Sequence, residues 1–227
     1  MKNRVYWTLL LCLPLLALAE SAARREIKQV LALKPDAEHG RELFAQCASC
    51  HGPGGGGKTD GTIPRIAGQY YRVVVNQIVH FRRGTRWDAR MESVATSHDV
   101  IPELQDIADV AWYVSHLDAD TARGVGEGVY VERGAKLYAG HCASCHGKDA
   151  QGSDTQAVPR LAGQHAAYLS RQIYDTVEGR RPKLTLSHGW RFEPFAYEDV
   201  LGLSDYLSRI GWNDEPAPTA GSDAQPR

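Results

Sequence analysis

Methionine is the scarcest metal-ligating residue in this 227-residue chain: there are two, and one of them is Met1. Neither sign of charge prevails, the formal net charge being −1. A nucleic-acid-binding surface needs an excess of Lys and Arg that this composition lacks. Long apolar runs are nearly absent too. The single one, Val5 to Ala19, falls short of the ~20 residues a helix needs to cross a bilayer. It follows Lys2 and Arg4 and ends in Ala17-Leu18-Ala19 before Glu20, the pattern of a cleaved secretory signal. Residues 1–19 are therefore expected to be a signal peptide, sending a mature chain with no transmembrane span to the periplasm. Its loss leaves 24 basic against 27 acidic residues, a net charge of −3. Cys12 leaves with it, so four of the five cysteines remain. Export would permit disulfides, but the setting of these four points elsewhere.

What the chain does have is a repeat, the feature to seek before any other. Cys47-Ala-Ser-Cys50-His51-Gly52 returns unchanged as Cys142-Ala-Ser-Cys145-His146-Gly147, 95 residues later. At the same offset Pro64-Arg65-Ile66-Ala67-Gly68-Gln69 matches Pro159-Arg160-Leu161-Ala162-Gly163-Gln164, and Gln77-Ile78 matches Gln172-Ile173. The last segment of each copy carries a helical stripe: Ile107, Val110, Ala111 and Val114 in the first, Val200, Leu203 and Leu207 in the second. Each copy reads as helix, Cys-x-x-Cys-His loop, Gly-rich loop, helix, loop, helix. The predicted fold is all-α, two tandem domains related by an internal repeat. The expected boundaries are residues 20–118 for the N-terminal domain, a Gly-rich linker at 119–130, residues 131–212 for the C-terminal domain, and a disordered tail at 213–227.

Cys-x-x-Cys-His is a haem c attachment signature: two thiols at that spacing add to two vinyl groups, and the imidazole of the next residue meets the iron. A bare Cys-x-x-Cys would equally suit a redox disulfide or half a zinc site. Two copies, each with its own histidine and 95 residues apart, favour two covalently bound haem c groups. Cys47, Cys50, Cys142 and Cys145 are then the attachment points, with His51 and His146 the proximal iron ligands. A proximal imidazole usually gives its other N–H to a carbonyl, and Pro64 and Pro159 are candidates to supply one. Arg65 and Arg160, next to those carbonyls, are placed to pair with haem propionates, with a solvated surface arginine the equal alternative.

These motifs, each present twice over nearly the whole mature chain, resemble those of the dihaem cytochrome c4 family of class I c-type cytochromes. The resemblance implies a periplasmic electron carrier with one class I cytochrome c domain per copy, packed about a pseudo-twofold axis, each haem bound by His and Met. Met91, 40 residues after His51 in the loop before the last helix of its copy, stands where that family places its ligand. A thioether there would hold a high potential. The second copy departs from the pattern: Leu186 stands opposite Met91 at the 95-residue offset, and this half has no methionine.

Two outcomes are open for the second haem. His188, two residues on, supplies a second imidazole and lowers the potential relative to His/Met, or the iron keeps an open position. Under the first the chain is a pure carrier. Under the second it is a dihaem oxidoreductase in which Arg180, Arg181, Lys183 and His188 form an electropositive distal face and the first haem relays electrons. Redox proteins are the expected partners, a terminal oxidase or a periplasmic or membrane-bound dehydrogenase among them, with no nucleic acid. His98 and His165 are minor alternative ligands.

Overall fold

The computed structural model describes residues 22–118, 122–177, 181 and 195–211. The expected signal peptide, Leu186, His188 and the C-terminal tail lie outside the described residues. Among those described there is no strand, only an isolated bridge between Ser153 and Val158, and the all-α expectation holds. No helix among them is long and apolar enough to cross a membrane.

The first unit contains α1 (22–31), α2 (Ala37–His51), α3 (Tyr71–Arg82), α4 (Ala89–Thr96) and α5 (Leu104–Ser115). The second contains α6 (Val131–His141), α7 (Ala143–His146), α8 (Ala166–Val177) and α9 (Tyr197–Arg209). Each unit buries its own apolar cluster. Ile107, Val110, Ala111 and Val114 on α5 meet Phe44, Val75, Ile78 and Val79, while Leu203 and Leu207 on α9 meet Tyr138, Ala162 and Leu169. The helical stripes seen in the sequence are thus the buried faces.

In both units the first long helix crosses the last one at a glycine. A Cβ on Gly40 would strike the backbone of Asp109 on α5, and one on Gly134 the backbone of Gly202 on α9. Side chains fix the same crossing. Buried Asp109 accepts from Asp36 N–H at 2.7 Å and meets His39 Nδ1 at 2.8 Å, tying the start of α2 to α5. The last helices begin alike: Asp106 Oδ2 accepts from Glu103 N–H at 2.7 Å, and Asp199 Oδ2 from Ala196 N–H at 2.8 Å.

These equivalences show where the copies differ. Gly68 N–H bonds Val114 O and Gly163 N–H bonds Leu207 O, both at 3.0 Å, so the offset is 95 at the glycines and 93 at the last helix. The second copy is two residues shorter between them. At either offset the counterpart of Met91 is a leucine, Leu186 or Leu184.

Segment 122–130 between the units is held at several points. Gly124 N–H donates to His165 Nδ1 at 3.1 Å, and Arg209 donates to Gly126 O at 2.7 Å. His165 is fully buried between the units. Since its Nδ1 accepts from Gly124, Nε2 carries the proton and donates to the Gly56 carbonyl at 2.8 Å. Both nitrogens are therefore engaged with backbone, which leaves neither for a metal.

Burial pushes the His165 pKa below 6.5, against the pull of the Gly56 carbonyl; nearby Arg65 adds to the lowering and Asp60 opposes it. A folded pKa below the unfolded value means that, between the two, the unfolded chain binds the extra proton. The stability contributed by the neutral ring is present above about pH 6.5 and is lost as pH falls through the folded pKa. His39, its pKa raised by the hydrogen bond to Asp109, acts in the opposite sense from an exposed position. The expected result is that the urea midpoint of wild type falls between pH 7.5 and pH 5 by more than that of His165→Gln; equal slopes would exclude His165 as the source.

Candidate haem sites

The first attachment motif lies on the last turn of α2 rather than in a loop, with Cys47 half-buried, Cys50 exposed and His51 buried. In the second copy the helix breaks at Cys142, whose φ of −115° ends α6, and the short α7 carries Ser144, Cys145 and His146. None of the four cysteines forms a disulfide. Among the described residues there is no group of three or more His, Cys, Asp or Glu side chains that could hold a metal ion.

The two histidines are fixed in the same way. His51 Nδ1 donates to Pro64 O at 3.0 Å and His146 Nδ1 to Pro159 O at 3.0 Å. This orientation leaves Nε2 of each ring as the nitrogen available to iron. The loop closes identically below each ring: Gly57 N–H bonds His51 O and Gly152 N–H bonds His146 O, both at 2.8 Å. Burial pushes the His51 pKa down, partly offset by the Pro64 carbonyl, so the ring is kept neutral as a metal ligand requires. The Arg90 charge adds to the lowering and Asp88 opposes it.

Met91 lies in the first turn of α4, not in a loop. The helix forms there because the Asp88 carboxylate accepts from the N–H groups of Arg90 and Met91 at 3.1 and 3.3 Å, satisfying donors that the first turn leaves open. The Met91 side chain is half-buried against the first core.

The donor sets suit haem c, and buried polar atoms point the same way. Tyr71 Oη and His116 Nε2, on residues whose rings both pack on Trp112, are buried with no hydrogen-bond partner among the described residues. They fit a cofactor whose apolar macrocycle carries carboxylates.

The cytochrome c family model matches residues 37–118 and again residues 131–206. Cytochrome c4 from Azotobacter vinelandii is 32% identical over 192 residues, 79% of this chain and 84% of that protein. The chain belongs to the dihaem cytochrome c4 family. The structure of reduced recombinant cytochrome c4 from Pseudomonas stutzeri is similar as well, with a TM-score of 0.69 and 27% identity, covering 78% of this chain and 100% of that one. A relative from Thiomonas intermedia named thiosulfate dehydrogenase electron acceptor is 30% identical over 60% of this chain and 65% of its own length. This cytochrome is thus an electron-transfer protein made of two tandem cytochrome c domains, with two covalently bound haem c groups on Cys47/Cys50 and Cys142/Cys145.

The arginines beside the proline carbonyls do different things. Arg65 is buried and its Nη2 donates to Ala122 O at 3.3 Å, while half-buried Arg160 lies over the Tyr70 ring at 5.1 Å. Arg86, which the sequence reading passed over, is the more connected group. It is buried, donates to the repeated pair Gln77 and Gln172, and reaches Tyr168 Oη at 2.8 Å. Its repeat counterpart is Arg181, held to about pKa 10 by burial and by the Arg86 charge. The signal was present in the 95-residue offset, but an arginine aligned with an arginine carries no chemistry until both are seen at one interface.

Proposed function

We propose that this cytochrome is a periplasmic electron carrier in which His51 and Met91 bind the first haem iron and His146 and His188 the second. The observation that carries this reading is the matched tie of His51 and His146 to the Pro64 and Pro159 carbonyls at 3.0 Å. It holds each ring in one tautomer and one orientation, so that the ligand changes little between oxidation states. Haem supplies a one-electron iron couple; the chain supplies fixed ligands, a largely apolar surround and an exposed edge.

Several features support the remainder. Met91, half-buried at the start of α4, is the proposed second ligand of the first site. Cys50 and Cys145, both free thiols, are the residues that would hold the second attachment of each haem. Arg65 and Arg160 are the proposed partners of the propionates. The Lys2, Arg4 and Val5–Ala19 pattern favours export. A terminal oxidase and a dehydrogenase are the proposed partner classes, the latter favoured by the name of the Thiomonas relative.

His188 is the histidine nearest in sequence to the missing methionine, and its replacement is the direct test. Wild type is expected to show two low-spin haems by EPR, and His188→Ala one high-spin haem that binds carbon monoxide. A wild type that already contains a high-spin, carbon monoxide-binding haem would overturn the carrier reading in favour of an open, reactive second iron.

A further inference from the structure

The last residue of the repeated Pro-Arg-x-Ala-Gly-Gln segment has a side chain that leaves its own domain. Gln164 Oε1 accepts from Arg65 N–H at 3.0 Å and Gln164 Nε2 donates to Arg65 O at 2.8 Å. The opposite pair matches it: Gln69 Oε1 accepts from Arg160 N–H at 3.0 Å and Gln69 Nε2 donates to Arg160 O at 3.0 Å. Each glutamine thus grips, in the other domain, the residue that follows the proline whose carbonyl holds the proximal histidine.

The chemistry lies in one peptide group. The Pro64–Arg65 peptide receives the His51 Nδ1–H on its oxygen and gives its N–H to Gln164. The Pro159–Arg160 peptide does the same between His146 and Gln69. A peptide is a resonant unit, so a hydrogen bond accepted from its N–H shifts electron density onto its oxygen. Hydrogen bonds in series strengthen one another, more so where water is excluded. Gln164 is itself buried. A better acceptor at Pro64 O draws the Nδ1 proton of His51, makes the imidazole a stronger donor and favours ferric iron.

We infer that Gln164 and Gln69 are crossed tuning residues: Gln164 lowers the reduction potential of the first-domain haem and Gln69 that of the second-domain haem. This rests on His51 and His146 being the proximal ligands and is independent of either sixth ligand. Each haem's potential then depends on the two domains being docked, so the pairing of domains is part of the redox design.

The test is spectroelectrochemistry of the full-length holoprotein carrying Gln164→Met or Gln69→Met, both neutral replacements, with the haems distinguished by their NMR signals. Gln164→Met should shift the first haem's equilibrium toward reduction several-fold, up to about tenfold, equal to 59 mV for one electron, and move the second much less. Gln69→Met should do the reverse. Gln172→Met is the control: it removes another neutral cross-domain glutamine, which accepts from Arg86 at 2.7 Å and touches neither peptide. A shift confined to the substituted domain, shared equally by both haems, or no larger than in the control would overturn the proposal.

A measurement on wild type keeps the test open should a variant fail to fold. In the ferrous protein the Arg65 amide nitrogen should show scalar coupling across the hydrogen bond to the Gln164 side-chain carbon, and the His51 Nδ1 proton should lie far downfield. No measurable coupling would overturn the proposal. Absence of the His51 signal from the first haem's ligand set would instead overturn the proximal-ligand reading.

Discussion

Met91→Leu is expected to abolish the entire sulfur-to-iron absorption band at the red end of the ferric spectrum, not half of it. Met91 is the one methionine beyond Met1, so no second thioether exists to maintain the band. The side chain is half-buried against the first core, and Met-to-Leu exchange at such sites usually costs under about 1.5 kcal/mol. The fold should therefore survive while the iron loses a ligand, since a saturated side chain cannot coordinate. The same variant should contain one carbon monoxide-reactive haem, and that haem's potential should fall, because Met ligation raises it. Absorption and EPR spectra of the ferric protein decide the matter. A persistent band would mean that Met91 is not a ligand.

Gly134→Ala should be the most damaging small substitution in the second domain. Gly134 is where α6 lies on α9, and its added Cβ would collide with the Gly202 carbonyl, a backbone group that cannot rotate away. The helices must separate, and the loss spreads to Tyr138, Leu203 and Leu207, which pack in that core. Overpacking typically costs 1–3 kcal/mol; rigid backbone on both sides puts this case at about 3 kcal/mol or more. Gly140→Ala on the same helix is the matched comparison. A Cβ there meets nothing within 4 Å, and alanine is the better helix former by roughly 0.5–1 kcal/mol. Urea titration of both holoproteins should show the first losing, and the second keeping or gaining, stability. Equal midpoints would mean that the crossing is looser than this contact implies.

Among the described residues the second domain has the smaller apolar cluster. The first core is completed by α1, whose Ala23 and Val30 are fully buried. Buried Glu26 on the same helix pairs with Arg82 at 3.5 Å and with Arg83. The second domain gains compensating ties across the interface. Arg171 donates to Gly61 O at 2.9 Å and Asp154 accepts from Arg72 N–H at 3.1 Å. Docking therefore contributes to the stability of the second unit.

Sequence alone determined the covalent chemistry and the architecture. Cys-x-x-Cys-His is a local spacing, and local spacings hold in any fold that presents them. The 95-residue offset required two like domains, and the stripes at Ile107, Val110, Ala111 and Val114 and at Val200, Leu203 and Leu207 named the buried helix faces. The carbonyls of Pro64 and Pro159 were within reach of the same reasoning because each lies only 13 residues from its histidine. Tertiary structure alone decided that Met91 starts a helix, that the copies differ in length by two residues before the last helix, that His165 is a backbone tie and not a ligand, and that Gln69 and Gln164 act on each other's domains. The physical reason is sequence separation. A glutamine and the peptide it grips are 91 or 99 residues apart, and that meeting depends on how two finished domains dock, which no pattern within one copy encodes.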